Sequence, residues 1–323
     1  MKPNGIVDRW LRRFEDGARY DHLVEFRDEW MDVLSADPDL YVALREDYVN
    51  VYHRGQSMAR VEFAQEPRTG VPVSRVVLHG KFAGHILPGE CTRLPGRDDY
   101  RCGRLERGEV VSSEIVVRAK QGVEAWFKRE EALAPHRAAL DFHREIEAES
   151  AILKCSRPSP RFFFIDRQIA DHVLAEDLPA GMEHRPRMDL LALEQISGAE
   201  YRMVLIELKL PNNTDLSGKV AKQVSDYLAH LSAREHRVAQ AYVECYARHY
   251  EQKRFLGLLS DSLPSSITID PMATRAVVAI AHNSGGRVSA EDAKQMTVAG
   301  DGVPVIVWHK DDDLCSLAAA SRA

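Results

Sequence analysis

Met188-Asp189-Leu190-Leu191 and Val204-Leu205-Ile206-Glu207-Leu208-Lys209 are the stretches on which the reading of this chain turns. Each is an apolar run suited to a strand, and each carries an acid where a purely structural strand would place Val or Ile. In a hairpin centred on Gly198, Asp189 lies nine residues before the centre and Glu207 nine after it, so the two carboxylates face each other. Side chains two apart on a strand share a face, so Lys209 projects with Glu207 and with the residue paired across the hairpin. The pattern predicts three charged groups converging on one side of two strands.

Two carboxylates a few ångströms apart repel strongly in a partly buried site, and the usual relief is a divalent cation or a shared proton. Ligands that are all oxygen favour Mg²⁺ or Mn²⁺. Such an ion activates water and neutralises charge on a phosphodiester, while a nearby ammonium orients the water or stabilises the transition state. The pair of strands therefore points to phosphodiester hydrolysis. The bland alternative is a surface hairpin with an ordinary Glu-Lys pair.

Further residues support the catalytic reading. Downstream, Gln223 and Tyr227 stand four apart, one above the other on a helix whose apolar stripe is Val220, Val224, Tyr227, Leu228 and Leu231. Upstream, Phe142, Ile146, Glu149, Ile152 and Leu153 recur at helical spacing. An acid on an apolar helix face is uncommon without a partner, which makes Glu149 the candidate; Glu145 shares that face and Glu147 is expected to point away. Basic residues gather around the motif at Arg185, Arg187, Lys209, Lys219 and Lys222. Lys219 and Lys222 open the helix that carries Gln223, where the helix N-terminus adds partial positive charge, so they are the candidate phosphate-binding residues.

Taken together, a helix acid, a strand Asp, Glu-x-Lys on the next strand and Gln-x-x-x-Tyr on the following helix resemble the RecB-like branch of the PD-(D/E)XK nucleases, over roughly Glu145 to Leu231. The resemblance implies an α/β, restriction-endonuclease-like mixed sheet flanked by helices. It implies that Glu149, Asp189, Glu207 and the backbone carbonyl of Leu208 bind Mg²⁺ (or Mn²⁺), that Lys209 serves the attacking water, and that Gln223 and Tyr227 support substrate or site geometry. Met188 stands where the family's name has proline, with Pro186 slightly earlier. The expected partner is nucleic acid, DNA in the first instance, with defence or DNA processing as the setting. The alternatives are an RNase, or a non-cutting nucleic-acid-binding or regulatory module that keeps the fold; the intact Asp189, Glu207 and Lys209 speak for cutting.

Outside this core the chain reads as mixed α and β. Ile6, Trp10 and Phe14, then Leu23, Phe26, Trp30 and Leu34, predict two amphipathic helices. A hairpin is expected from Tyr48 to Phe63, turning near Gly55, and a strand from Val73 to Leu78. Residues 84 to 108, rich in Gly, Pro, Arg and Asp, read as a long irregular loop, and 122 to 153 as a helical stretch. Then come strands at 161 to 165, 188 to 193 and 202 to 210, helices at 219 to 233 and 238 to 259, and strands at 275 to 281 and 303 to 308. The expected division is an N-terminal α+β domain over 1–121, for sensing, specificity, partner binding or self-association, and the nuclease domain over 122–323. Tyr48, Tyr52, His53, Arg54 and Arg60 read as strand packing before they read as a nucleic-acid groove.

Composition sets the outer bounds. With 45% hydrophobic and 28% charged residues among 323, the chain can bury a real core. Forty-three Lys+Arg against 49 Asp+Glu give a formal charge of −6, so phosphate binding must be local rather than the work of a global basic field. Met1 to Gly17 lacks an uninterrupted apolar segment and no stretch is apolar enough to span a bilayer, so a cytoplasmic location and no membrane partner are expected. Five scattered cysteines, at 91, 102, 155, 245 and 315, form no CxxC; free thiols are the expectation, with Cys91 and Cys102 the pair that flanks a loop.

Overall fold

The computed structural model describes residues 18–45, 48–65, 72–79, 82, 91–93, 99–106, 113–133, 142, 144–155, 159–170, 187–283, 288–296 and 303–309. The helix expected around Ile6, Trp10 and Phe14, together with Arg185, Pro186, Cys315 and the side chain of Cys155, lies outside them. The chain divides into two compact units, one within 12–138 together with Phe255–Leu258, the other within Ala139–Arg254 and Leu259–Ala323. Each is mixed in character.

In the N-terminal unit, helix α1 (Ala18–Ser35) is followed by β1 (Leu40–Leu44), β2 (Tyr48–His53), β3 (Gln56–Gln65), β4 (Pro72–His79), β5 (Cys91–Arg93), β6 (Asp99–Glu106) and helix α2 (Ser113–Leu133). The strands form one antiparallel sheet in the order β1-β2-β3-β4-β6-β5. The predicted β2–β3 hairpin turns at Arg54 (φ 47°) and Gly55 (φ 77°), the paired positive φ values that suit a tight two-residue turn. Leu23, Phe26, Trp30 and Leu34 of α1 share a core with Val49, Val51, Val61, Val76 and Leu78 of the sheet and Val116, Val123 and Phe127 of α2.

Two sequence expectations change in this unit. Residues 84 to 108 are not wholly irregular: β5 and β6 lie within them, with Cys91 and Cys102 as cross-strand partners. The three-residue length of β5 and the polar, charged composition of β6 hide the strand signal. The helix expected from Gly122 to Leu153 is in fact two helices, and Gly122 lies in the middle of α2 rather than at a start. A Cβ there would come within 2.4 Å of the Phe82 carbonyl oxygen, so the glycine serves a close backbone approach. The expected domain division at 121/122 likewise falls inside α2.

The C-terminal unit contains α3 (Glu145–Cys155), β7 (Phe162–Ala170), β8 (Arg187–Ser197), β9 (Glu200–Lys209), α4 (Lys219–Phe255), β10 (Thr268–Ala281), α5 (Ala290–Met296) and β11 (Val305–Trp308). Its sheet runs β11-β10-β9-β8-β7; β7, β8 and β9 are antiparallel neighbours, while β9, β10 and β11 run parallel. The fold is thus α/β with a mixed sheet. The strand residues alternate between two cores, as a period of two requires. Leu191, Leu193, Met203 and Leu205 pack with Val220, Val224, Tyr227 and Leu231 of α4. Leu190, Ala192, Val204, Ile206 and Leu208 pack with Ala148 and Ile152 of α3. The helices expected at 219 to 233 and 238 to 259 are one 37-residue helix, α4. No described helix is long and apolar enough to cross a membrane.

Candidate active site

The hairpin of β8 and β9 has the register its sequence predicts. Leu190 pairs with Ile206 and Leu191 with Leu205, and Gly198 in the turn takes the positive φ of 47°. Continued by one residue, that register sets Asp189 opposite Glu207. The ladder stops there: the amide of Leu208 donates to Asp189 Oδ2 at 2.9 Å instead of to the β8 backbone. Asp189, Glu207 and Lys209 are odd-numbered like Leu191 and Leu205, which places them on the α4 side of the sheet, where the two strands part.

Lys209 is the hub. Its Nζ donates to Glu207 Oε1 at 2.6 Å and lies 3.8 Å from Glu145 Oε2 on α3. Asn213 Nδ2 donates to the other oxygen of Glu145 at 2.5 Å. Burial pushes the Glu207 carboxyl up to about 8, and the charge of Asp189 adds to that, with Lys209 opposing. Asp189 is raised as well, chiefly by burial, against the pull of Lys209 and the Leu208 amide. Burial works against the Lys209 ammonium, but Glu207, Asp189 and Glu145 outweigh it and hold its pKa above the usual lysine range. Three carboxylates therefore share one ammonium, an arrangement that favours either a retained proton or an added cation.

The helix acids divide the work. Glu149 is 1% exposed; Arg167 Nη2 donates to its Oε2 at 2.8 Å and the Gln168 amide donates to its Oε1. Burial raises its carboxyl to about 7, with Arg167 opposing and the charge of Asp189 adding. Glu145, by contrast, is the acid that meets Lys209. Glu147, expected to point away, is also buried.

Gln223 and Tyr227 act in series: the Gln223 amide donates to the Tyr227 hydroxyl, which donates to the backbone carbonyl of Arg187. This fixes the start of β8 two residues before Asp189. Burial, then the charge of Glu207, raises the Tyr227 hydroxyl above its usual range, so it stays a proton donor. Lys219 and Lys222 are exposed and each reaches an aspartate one helical turn away, Asp215 at 3.3 Å and Asp226 at 2.7 Å. In the N-terminal unit, Tyr52 and His53 are buried, Arg54 stacks on Phe127, and Arg60 pairs with Glu62 and lies over Tyr48; these contacts are packing.

Three site residues escaped the sequence reading: Arg167, Gln168 and Asn213. The strand expected to end at Ile165 continues to Ala170, and the register slips by one between Phe164 and Asp166. Such a bulge re-aims the residues after it, so a polar Asp-Arg-Gln run that looks like a strand end lies inside the strand.

Among the described residues no group of three or more His, Cys, Asp and Glu is gathered into a metal-binding cluster. Glu207 is held by Lys209, and Glu149 by Arg167 and Gln168. Even so, the donor set suits a hard divalent cation. Glu207 Oε2 is buried without a hydrogen-bond partner, Asp189 neighbours it, and all candidate donors are oxygens. Asp189, Glu207 and the Leu208 carbonyl are the residues that would hold the ion, with Glu149 engaged elsewhere. Compared with known proteins, the chain matches no protein-family model, no curated protein and no solved structure.

Proposed function

We propose that the C-terminal unit is a Mg²⁺- or Mn²⁺-dependent phosphodiesterase of the PD-(D/E)XK type, with DNA as substrate. The observation that carries this is the gathering of three acids at the point where β8 and β9 part: Glu207 and Glu145 meet the ammonium of Lys209, and Asp189, held by the Leu208 amide, lies close enough to feel its charge. When bound, the ion supplies a water of lowered pKa and neutralises phosphate charge. Asp189 and Glu207 bind and orient; the Leu208 amide fixes the Asp189 carboxylate. Lys209, kept protonated by its acid neighbours, is placed to orient a water or to meet charge on a phosphate oxygen. Gln223 and Tyr227 hold the β8 backbone, and Lys219 and Lys222 face solvent at the start of α4.

A metal-dependent digest of plasmid, linear duplex, single-stranded DNA and RNA tests the reading. Cleavage with Mg²⁺ or Mn²⁺, poor cleavage with Ca²⁺ and none in EDTA is the expected result. Vigorous cutting in chelator would sink the metal mechanism, and preference for RNA would move the substrate. A second reading, a nucleic-acid-binding module that does not cut, draws support from the closed pairing of Glu207 with Lys209 and Glu149 with Arg167. Binding without cleavage under every metal would favour it. The N-terminal unit is assigned specificity, sensing or partner binding by analogy alone.

A further inference from the structure

Most cations around the site already hold an acid. Lys209 holds Glu207, Arg167 holds Glu149, and Lys219 and Lys222 hold Asp215 and Asp226. Arg187 differs. Its Nε donates to Gln168 Oε1 at 3.2 Å and its Nη2 donates to the same oxygen, so one edge of the guanidinium is docked on a neutral amide. Among the described residues no carboxylate lies within ion-pair distance of it. The side chain is exposed, and it sits two residues before Asp189 on the same strand, which puts both on one face.

Gln168 is built for this contact. Arg167 pairs with Leu190 and Ile169 with Met188, so the β7 position opposite Asp189 is Gln168. Its φ is 49°, in the left-handed region that a non-glycine residue seldom occupies. From there its amide spans the site, donating to Glu149 with Nε2 and accepting from Arg187 with Oε1. Strained conformations persist where the surroundings over-determine them, and here two side-chain bonds do so. The Arg187 main chain is fixed as well, by the Tyr227 hydroxyl on its carbonyl.

We propose that Arg187 takes a phosphate oxygen of the nucleic-acid backbone beside Asp189, through the guanidinium edge turned away from Gln168, and that Gln168 is its positioning residue. This rests on the phosphodiesterase reading above. An arginine held by a neutral amide keeps its full charge for a ligand, and its planar fork matches phosphate geometry.

The test uses the full chain and a labelled DNA oligonucleotide of about 20 nucleotides, single- and double-stranded, with binding followed across a salt series in EDTA. Arg187→Ala should lower the slope of log affinity against log salt by about one, and Arg187→Lys should leave it near the parent value. Turnover with Mn²⁺ should fall by roughly tenfold or more in both, because lysine restores charge but not the fork. Gln168→Gly, which suits the left-handed backbone, should behave like Arg187→Lys: slope kept, turnover lost. If that variant fails to fold, Gln168→Asn serves, being tolerant of the same backbone but too short to reach both partners. Parental slope and turnover in Arg187→Ala would overturn the assignment of Arg187, and parental turnover in the variant at 168 would overturn the positioning role. A parent protein that neither binds nor cuts the oligonucleotide would instead bring down the phosphodiesterase reading, and this inference with it.

Discussion

Two buried glutamates occupy the β8–β9 hairpin, and they live in opposite electrostatic regimes. Toward the turn, Glu194 is 1% exposed and its Oε2 takes both Arg202, at 2.6 Å, and Arg275, at 2.7 Å. Toward the open end, Glu207 is 2% exposed and shares Lys209 with Asp189 and Glu145. Each glutamate leaves one oxygen without a hydrogen bond, so an orphaned oxygen does not separate them. Charge balance does. One acid against two arginines is a clamp that joins β8, β9 and β10; three acids around the one ammonium of Lys209, with the exposed Arg187 acting on Asp189 only at longer range, is a site that still lacks positive charge. Burial of excess negative charge is costly without a cation, and such an imbalance is more often found where chemistry is done than where strands are merely joined.

The sharpest way to break this contrast is to remove the open-end residues. Asp189→Ala, Glu207→Ala and Lys209→Ala should each reduce metal-dependent cleavage by roughly a hundredfold or more, while circular dichroism shows a retained fold. If Lys209→Ala cuts like the parent, the Glu-x-Lys assignment is wrong. At the turn end, Glu194→Gln should leave turnover per folded molecule unchanged and cost about 2 kcal/mol of stability. That is below the usual cost of breaking a buried pair, because Arg202 is partly exposed and the glutamine amide oxygen still faces both arginines. Loss of activity without loss of stability at Glu194 would erase the distinction.

The contrast also has a pH signature. The folded Glu207 carboxyl titrates near 8 while its unfolded counterpart titrates near 4.5. Between those values the folded state holds a proton that the unfolded state has released, so stability must fall as pH rises. Glu149, raised to about 7, and Asp189, also raised, act in the same direction, so without divalent ions the unfolding midpoint should drop by about 5 °C between about pH 5 and about pH 9, and Glu207→Gln should flatten part of that slope. Saturating Mn²⁺ should restore the midpoint at the alkaline end, because the ion binds the ionised carboxylates. A midpoint that climbs with pH in EDTA would contradict the under-compensated site.

How far the sequence foretold this depends on whether local pattern or long-range packing does the placing. Asp189, Glu207 and Lys209 were legible because a hairpin register follows from the position of Gly198, and strand alternation then assigns faces. Gln223 and Tyr227 were legible as a helical pair, but not their target, the Arg187 carbonyl, since nothing local points from α4 to β8. Glu149 was correctly read as buried; its partners Arg167 and Gln168 were hidden by a bulge. Lys219 and Lys222 read as phosphate ligands from their place at the start of α4, yet Asp215 at i−4 and Asp226 at i+4 already pair with them. On the fold, the α/β character was plain. The join between the units was misplaced because the break lies after Leu133, where α2 ends, and Gly122 looks like a helix boundary while acting as a packing contact.

Tyr227→Phe sharpens the account of how the open end is held. The phenol ring stays in the core, so only the hydroxyl bonds to Gln223 and Arg187 are lost, a change worth about 1 kcal/mol. Turnover should fall by roughly tenfold, through misplacement of Asp189, with little change in DNA affinity. Gln223→Ala should follow it with a smaller loss. Greater damage from Gln223→Ala than from Tyr227→Phe would mean that Gln223 meets the substrate directly.

The smallest effects are expected at Lys219 and Lys222. Both are solvent-exposed, and each forms an exposed pair with an aspartate four residues away, of the kind usually worth about 0.3–0.5 kcal/mol, so neither substitution should disturb stability measurably. Their effect on DNA binding is limited by the same pairing. A lysine already partly neutralised by its own aspartate releases fewer counterions on meeting a phosphate, so the salt slope should change by well under one for Lys219→Ala or Lys222→Ala. Asp226→Asn removes the pair at 2.7 Å, the closer of the two, and should strengthen binding through Lys222 at low salt. The order Arg187, then Lys219, then Lys222 in slope change is therefore the expected ranking. A full unit lost at Lys219 or Lys222 would put the DNA along the start of α4, and unchanged slopes at all three positions would put it elsewhere on the chain.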